Sequence, residues 1–142
     1  MRTFPPPEAS DRSHPDDRAA AVFDRRIDNP AQARTWITTF VDERGCGKDM
    51  REDAVLVVSE LVTNGLRYGS GEVVVRASLT EGGLSISVTD SGDELPNKLP
   101  LGGERIGGLG LHIVERLATR WGVSAFPGGK TVWAVLAAGS TA

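Results

Sequence analysis

The sequence has one cysteine, Cys46, and two histidines, His14 and His112. An intrachain disulfide is therefore excluded, and so is a cysteine- or histidine-rich zinc cluster. Cys46 lies in Gly45-Cys46-Gly47 with no basic or histidine residue adjacent. It reads as a structural or idle thiol rather than a nucleophile. No apolar stretch approaches the roughly 18 residues of a membrane span. Met1 to Asp17 contains no apolar run, so a secretory signal is not expected there. A surplus of one charge sign is also missing. The 16 basic and 19 acidic residues leave a formal charge of -3, which argues against direct nucleic-acid binding. A reducing, cytoplasmic setting is the expectation. The length of 142 residues, 39% hydrophobic and 25% charged, suits one domain with one core.

Pro5, Pro6, Pro7 and Pro15 among charges mark residues 1–18 as an expected flexible tail before a single domain at 19–142. Ala19 to Phe23 is a short strand candidate. Asn29 is a good N-cap and Pro30 suits the first helical turn. The helix they start runs to about Arg44 on an Ala33, Trp36, Ile37, Phe40 stripe, and Gly45 can close it. A second helix spans about Asp49 to Arg67, with Ala54, Val55, Val58, Leu61, Val62 and Leu66 at helical spacing. Glu72 to Leu79 and Leu84 to Asp90 alternate as strands around a Glu81-Gly82-Gly83 turn. Residues 91–107 form a long loop rich in glycine, proline and charge, of a length typical of functional lids. A third helix is expected from about Gly108 to Arg120, with Ile113, Val114, Leu117, Ala118 and Trp121 as its stripe. A last hairpin pairs Val123–Phe126 with Thr131–Ala137. This order predicts an α+β fold: a two-layer α/β sandwich with a mostly antiparallel sheet and helices on one face.

Three features sit oddly in a plain sandwich. Counting by two from Leu84, Ile86 and Val88 brings Asp90 onto the apolar face, where a carboxylate is costly unless hydrogen-bonded. The alternative is a turn cap in Asp90-Ser91-Gly92. Glu60 and Asn64 are four apart on one helix face. That face is nearly opposite Val58 and Val62 and is bordered by Leu56 and Val57. It is either a solvated outer face or a cavity wall. Gly107-Gly108-Leu109-Gly110-Leu111 opens the third helix. There glycines allow close backbone approach and free N–H groups suit phosphate. No Walker pattern follows.

In this order, the three features resemble the Bergerat-fold (GHKL) ATPase superfamily, which groups gyrase, the heat-shock chaperone, histidine kinases and the mismatch-repair ATPase. The branch that they resemble is that of the small anti-sigma-factor serine/threonine kinases and their actinobacterial relatives. Ser59-Glu60-Leu61-Val62-Thr63-Asn64 resembles that branch's N box. Asp90-Ser91-Gly92 resembles the first glycine box, and Gly108 to Val114 the second. Gly129-Lys130-Thr131-Val132-Trp133 resembles the final Gly-x-Thr turn and strand. The resemblance spans about residues 19 to 137.

The resemblance implies ATP and Mg²⁺ as cofactors. It casts Asn64 as the metal-coordinating residue, Glu60 as the catalytic base and Asp90 as the acceptor for the adenine amino group. Gly92 would let the base lie against the backbone, and Thr131 would hydrogen-bond near the adenine. Gly108, Leu109, Gly110 and Leu111 would wrap the phosphates. Arg105 lies where similar kinases carry a residue that reaches the terminal phosphate, and a surface arginine is the other reading. Departures are Glu94 in place of a second glycine, Gly65 in place of alanine and Tyr68 in place of histidine. His112 is expected on a helix surface. Nothing resembles a phosphoacceptor helix or a transducer domain, which points away from sensor kinases and gyrase-type machines. The implied activity is transfer of the terminal phosphate of ATP to serine or threonine of an anti-anti-sigma-like antagonist protein. The implied partners extend to a sigma factor, and a homodimer is compatible with the resemblance. Neither nucleic acid nor membrane is an expected partner. The alternative is a non-catalytic ATP-binding module that sequesters a sigma factor or another regulator.

Overall fold

The computed structural model describes residues 17–24, 30–68, 71–91 and 111–137. The elements in chain order are β1 (Arg18–Asp24), α1 (Pro30–Glu43), α2 (Lys48–Tyr68), β2 (Glu72–Thr80), β3 (Gly83–Asp90), α3 (His112–Leu117), β4 (Arg120–Phe126) and β5 (Gly129–Leu136). The strands form one sheet in the order β1-β2-β3-β5-β4. Every neighbouring pair is antiparallel. The predicted α+β sandwich with an antiparallel sheet is the observed architecture.

Alternation builds the core. Val73, Val75 and Ala77 of β2 and Leu84, Ile86 and Val88 of β3 are all buried. They meet Val57, Val58, Leu61 and Val62 of α2 and Val114 of α3 in one cluster. α2 and α3 therefore lie on the same face of the sheet, and α1 packs on α2 through Ile37, Phe40 and Val41. Polar contacts at the helix pair are few; Arg34 Nη1 donates to Ser59 Oγ at 3.1 Å.

The end of α1 follows its sequence signal. Gly45 has φ 65°, a left-handed conformation that glycine adopts without a Cβ penalty. The Gly45 N–H donates to the Asp42 carbonyl and the Cys46 N–H to the Val41 carbonyl, both at 3.1 Å. These two bonds cap the orphan carbonyls of the last turn. Arg44 folds back over the Phe40 ring, 3.7 Å from its centre.

The third helix is shorter than the spacing predicts. It ends at Leu117, because Ala118 has extended backbone (φ -84°, ψ 141°). Ala118 and Trp121 leave the helical stripe, and Trp121 enters β4. The cause is pairing with β5: the Thr119 N–H donates to the Val135 carbonyl at 2.8 Å, and the Thr119 hydroxyl to the same oxygen at 3.1 Å. A sheet ladder thus takes a segment whose apolar spacing alone also fits a helix. Residues 108–110, the expected opening of this helix, lie outside the described residues.

Candidate functional site

α2 carries the first half of the site. Residues seven apart on a helix lie almost on one line, so Asn64 falls in register with the fully buried Val57. Its side chain is 6% exposed, and no hydrogen bond to it is found among the described residues. Glu60, one turn earlier and on the rim of the same face, is half-buried and likewise carries no ion pair there. The cavity-wall reading of this polar pair is the one that the burial supports. Leu56, expected to border the pair, is instead 44% exposed and faces solvent. The buried arc of α2 runs from Val62 through Leu61 to Asn64, with Glu60 at its rim and Leu56 beyond.

Gly65 ties this part of α2 to the sheet. A Cβ there would stand 3.3 Å from Val73 and 3.4 Å from Val88. The helix backbone therefore sits directly on β2 and β3, and Val73 is the ladder partner of Asp90. The site's second half is thus at the same end of the sheet.

Asp90 closes β3 on the inward face, 2% exposed, as the count by two predicts. A buried carboxylate needs a partner, and here it is Lys130, whose Nζ donates to Oδ2 at 2.6 Å. Lys130 is itself 5% exposed. The two residues are ladder partners across β3 and β5, so their side chains leave the sheet on the same side. Gly129, next in line, has no room for a side chain: a Cβ would collide with the Asp90 carbonyl oxygen and stand 2.9 Å from the Phe126 ring.

Thr131 does not share the inward face of Asp90. It pairs with Thr89, on the opposite face of the sheet, and the two hydroxyls share a hydrogen bond of 2.7 Å. The ladder position opposite Asp90 belongs to Lys130. Lys130 and Gly129 are the site residues that sequence reasoning passed over. Counting back by two from Leu136, Ala134 and Val132 reaches Lys130, but that phase is hidden. Trp133 and Val135, on the other face, are also buried, so the strand shows no alternation of apolar and polar residues.

Leu111 is 2% exposed and belongs to the core, and its carbonyl accepts the first hydrogen bond of α3 from the Glu115 N–H at 2.9 Å. His112 is exposed, as expected. Gly92, Arg105, Gly108, Leu109, Gly110 and the departure Glu94 lie outside the described residues.

The sequence profile of the histidine kinase-like ATPase domain matches residues 23–136, from β1 to the end of β5. The chain belongs to the histidine kinase-like ATPase domain family. Membership implies an ATP-binding fold, and the buried polar groups described above line one end of it. Among solved structures, this ATPase domain is similar to the RsbU and RsbW domains of Rv1364c from Mycobacterium tuberculosis. That match has a TM-score of 0.63 and 20% sequence identity, and covers 84% of this chain and 31% of the other. The chain therefore spans about a third of that protein's length, and the likeness is one of fold. No match is found among curated protein sequences.

The residues present fit a nucleotide with its cation. Asn64 is mostly buried and its amide has no partner among the described residues, and its oxygen is a suitable ligand for a hard cation such as Mg²⁺. No cluster of three or more His, Cys, Asp or Glu side chains occurs among the described residues, so phosphate oxygens and water would complete the shell. No described helix is long and apolar enough to cross a membrane.

Proposed function

We propose that this ATPase domain is an ATP-dependent protein serine/threonine kinase of the anti-sigma-factor type. The observation that carries this reading is Asn64, a mostly buried residue whose amide has no partner among the described residues, with the Glu60 carboxylate one turn before it. They stand at the sheet end where Asp90 faces inward. Asn64 holds the cation, which neutralises charge on the phosphates when bound. Glu60 orients the incoming serine or threonine hydroxyl and accepts its proton. The hydroxyl oxygen forms its bond to the terminal phosphorus as the bond to the bridging oxygen breaks, and ADP leaves. Asp90 accepts a hydrogen bond from the adenine amino group.

The substrate is an antagonist protein in the cytoplasm, and exchange between it and a sigma factor couples the activity to transcription. The likeness to the RsbU and RsbW domains supports this choice at the level of fold. A second reading is a sequestering module without chemistry. Glu94, in place of the second glycine of the first box, favours it.

The test is transfer of radiolabelled phosphate from ATP to candidate antagonist proteins, comparing the wild type with Glu60→Gln at equal nucleotide occupancy. A kinase keeps ATP binding in the variant and loses about 10²–10⁴ in transfer rate, the usual worth of a general base. Equal rates would remove Glu60 from the mechanism. Tight partner binding without any transfer would establish the sequestering module.

A further inference from the structure

We propose that Lys130 reads the nucleotide base together with Asp90, donating a hydrogen bond to a ring nitrogen beside the amino group that Asp90 accepts from. The inference rests on the nucleotide-site reading above and adds a specificity-determining residue to it. Lys130 Nζ lies 2.6 Å from Asp90 Oδ2. The two side chains are 6% and 3% exposed. An ammonium group carries three donors, and Asp90 takes one. No other described residue accepts from Lys130, and none donates to Asp90 Oδ1. The pair therefore presents one free carboxylate oxygen next to free ammonium protons.

A base entering this end of the sheet has two ways to meet such a pair. It can displace the lysine and take Asp90 alone, or it can accept both groups. Displacement strands an ammonium in a buried setting, and a buried charge without its partner is strongly disfavoured. Shared recognition strands nothing. The adenine amino group is a donor flanked by ring nitrogens N1 and N7, both acceptors. A carboxylate oxygen and an adjacent ammonium form the complementary acceptor and donor. Lys130 is fixed for this task by its backbone. The ladder pairing with Asp90 puts both side chains on one face, and Gly129 lets β5 lie against the Asp90 carbonyl.

The experiment compares ATP with 1-deaza-ATP and 7-deaza-ATP, which keep the amino group and replace one ring nitrogen by carbon. Affinities are measured by calorimetry with the full chain, wild type and Lys130→Met. In the wild type, one of the two analogues binds roughly 10–100-fold more weakly than ATP, the worth of one hydrogen bond from a charged donor. Lys130→Met loses a similar factor for ATP and no longer distinguishes that analogue. The wild-type comparison stands without the variant, so a variant that fails to fold does not remove the test. Two analogues that both bind the wild type as ATP does would overturn the proposal. So would ATP binding to Lys130→Met as tight as to the wild type or tighter, which would make the lysine a plug over Asp90. A wild type that binds ATP but ignores the analogues refutes the role of Lys130 alone. A wild type that binds no ATP refutes the nucleotide site itself, and this proposal with it.

Discussion

Asn64→Leu separates a site built for a ligand from a core that carries a polar residue by chance. The Asn64 side chain is 6% exposed and has no hydrogen-bond partner among the described residues. The amide is not fully sealed, since Ser78 Oγ is the only fully buried side-chain polar atom without a partner among the described residues, and an amide that keeps part of its contact with water costs about 0.5–2 kcal/mol on burial. Leucine has similar bulk and removes the polar atoms, and its neighbours on α2 are Val57, Leu61 and Gly65. The nucleotide-free variant is therefore expected to be more stable than the wild type by about 0.5–2 kcal/mol. With a urea dependence of about 1–3 kcal/mol per molar, typical of small proteins, the unfolding midpoint rises by about 1 M. Added ATP with Mg²⁺ narrows the difference. At a concentration of about 100 times the dissociation constant, a ligand stabilises the wild type by about 2.7 kcal/mol. In the variant the Mg²⁺-dependent part of that gain is lost. Both readouts come from the same titrations, followed by tryptophan fluorescence with and without nucleotide. A variant less stable than the wild type without nucleotide would mean that the amide is satisfied. A variant that keeps the full Mg²⁺-dependent stabilisation would take Asn64 out of the cation's shell. Either result refutes the reasoning.

Gly129→Ala places a methyl group against the Asp90 carbonyl and the Phe126 ring. Backbone cannot yield cheaply, so we expect a loss of about 1–3 kcal/mol in chemical denaturation. Nucleotide affinity falls as well, because Asp90 must move; unchanged affinity would detach that glycine from the site. Burial holds the Cys46 thiol above its ordinary range, against the lowering effect of Arg44. A thiol whose folded-state pKa is raised contributes stability at pH values below the unfolded pKa. That contribution fades as the pH rises through the folded value. Alkylation by iodoacetamide should accordingly lag behind that of the urea-unfolded chain across the mildly alkaline range, with equal rates speaking against the assignment. The Glu60→Gln comparison completes the set: ATP binding is retained and phosphate transfer falls by about 10²–10⁴.

Most of the fold is legible in the sequence, because its signals are local. Alternation in Glu72–Leu79 and Leu84–Asp90 marks two half-buried strands, and both form as expected. Pro30 and Gly45 bracket α1, because proline suits the first helical turn and a left-handed C′ glycine suits the helix end. Asp90 on the inward face followed from strand alternation alone. The buried position of Asn64 was left open, since one helix face can border either water or a cavity. Packing of Gly65 on Val73 and Val88 decides it.

Where elements have a choice of neighbours, only the tertiary structure could speak. Thr119 to Trp121 carries apolar spacing that a helix also accepts. Hydrogen bonds to Val135, distant in sequence, make it sheet. In β5 the run from Val132 to Leu136 is buried on both faces. A strand with no polar face carries no readable phase, so sequence cannot say whether Thr131 or Lys130 points inward. Register against β3 settles it, by setting Thr131 opposite Thr89 and Lys130 opposite Asp90. A one-residue slip in that register would exchange the two side chains between the faces. The sequence therefore determined that this chain carries an inward carboxylate and a polar helix face on an antiparallel sandwich. Pairing between strands 40 residues apart decided that the carboxylate's partner is a lysine.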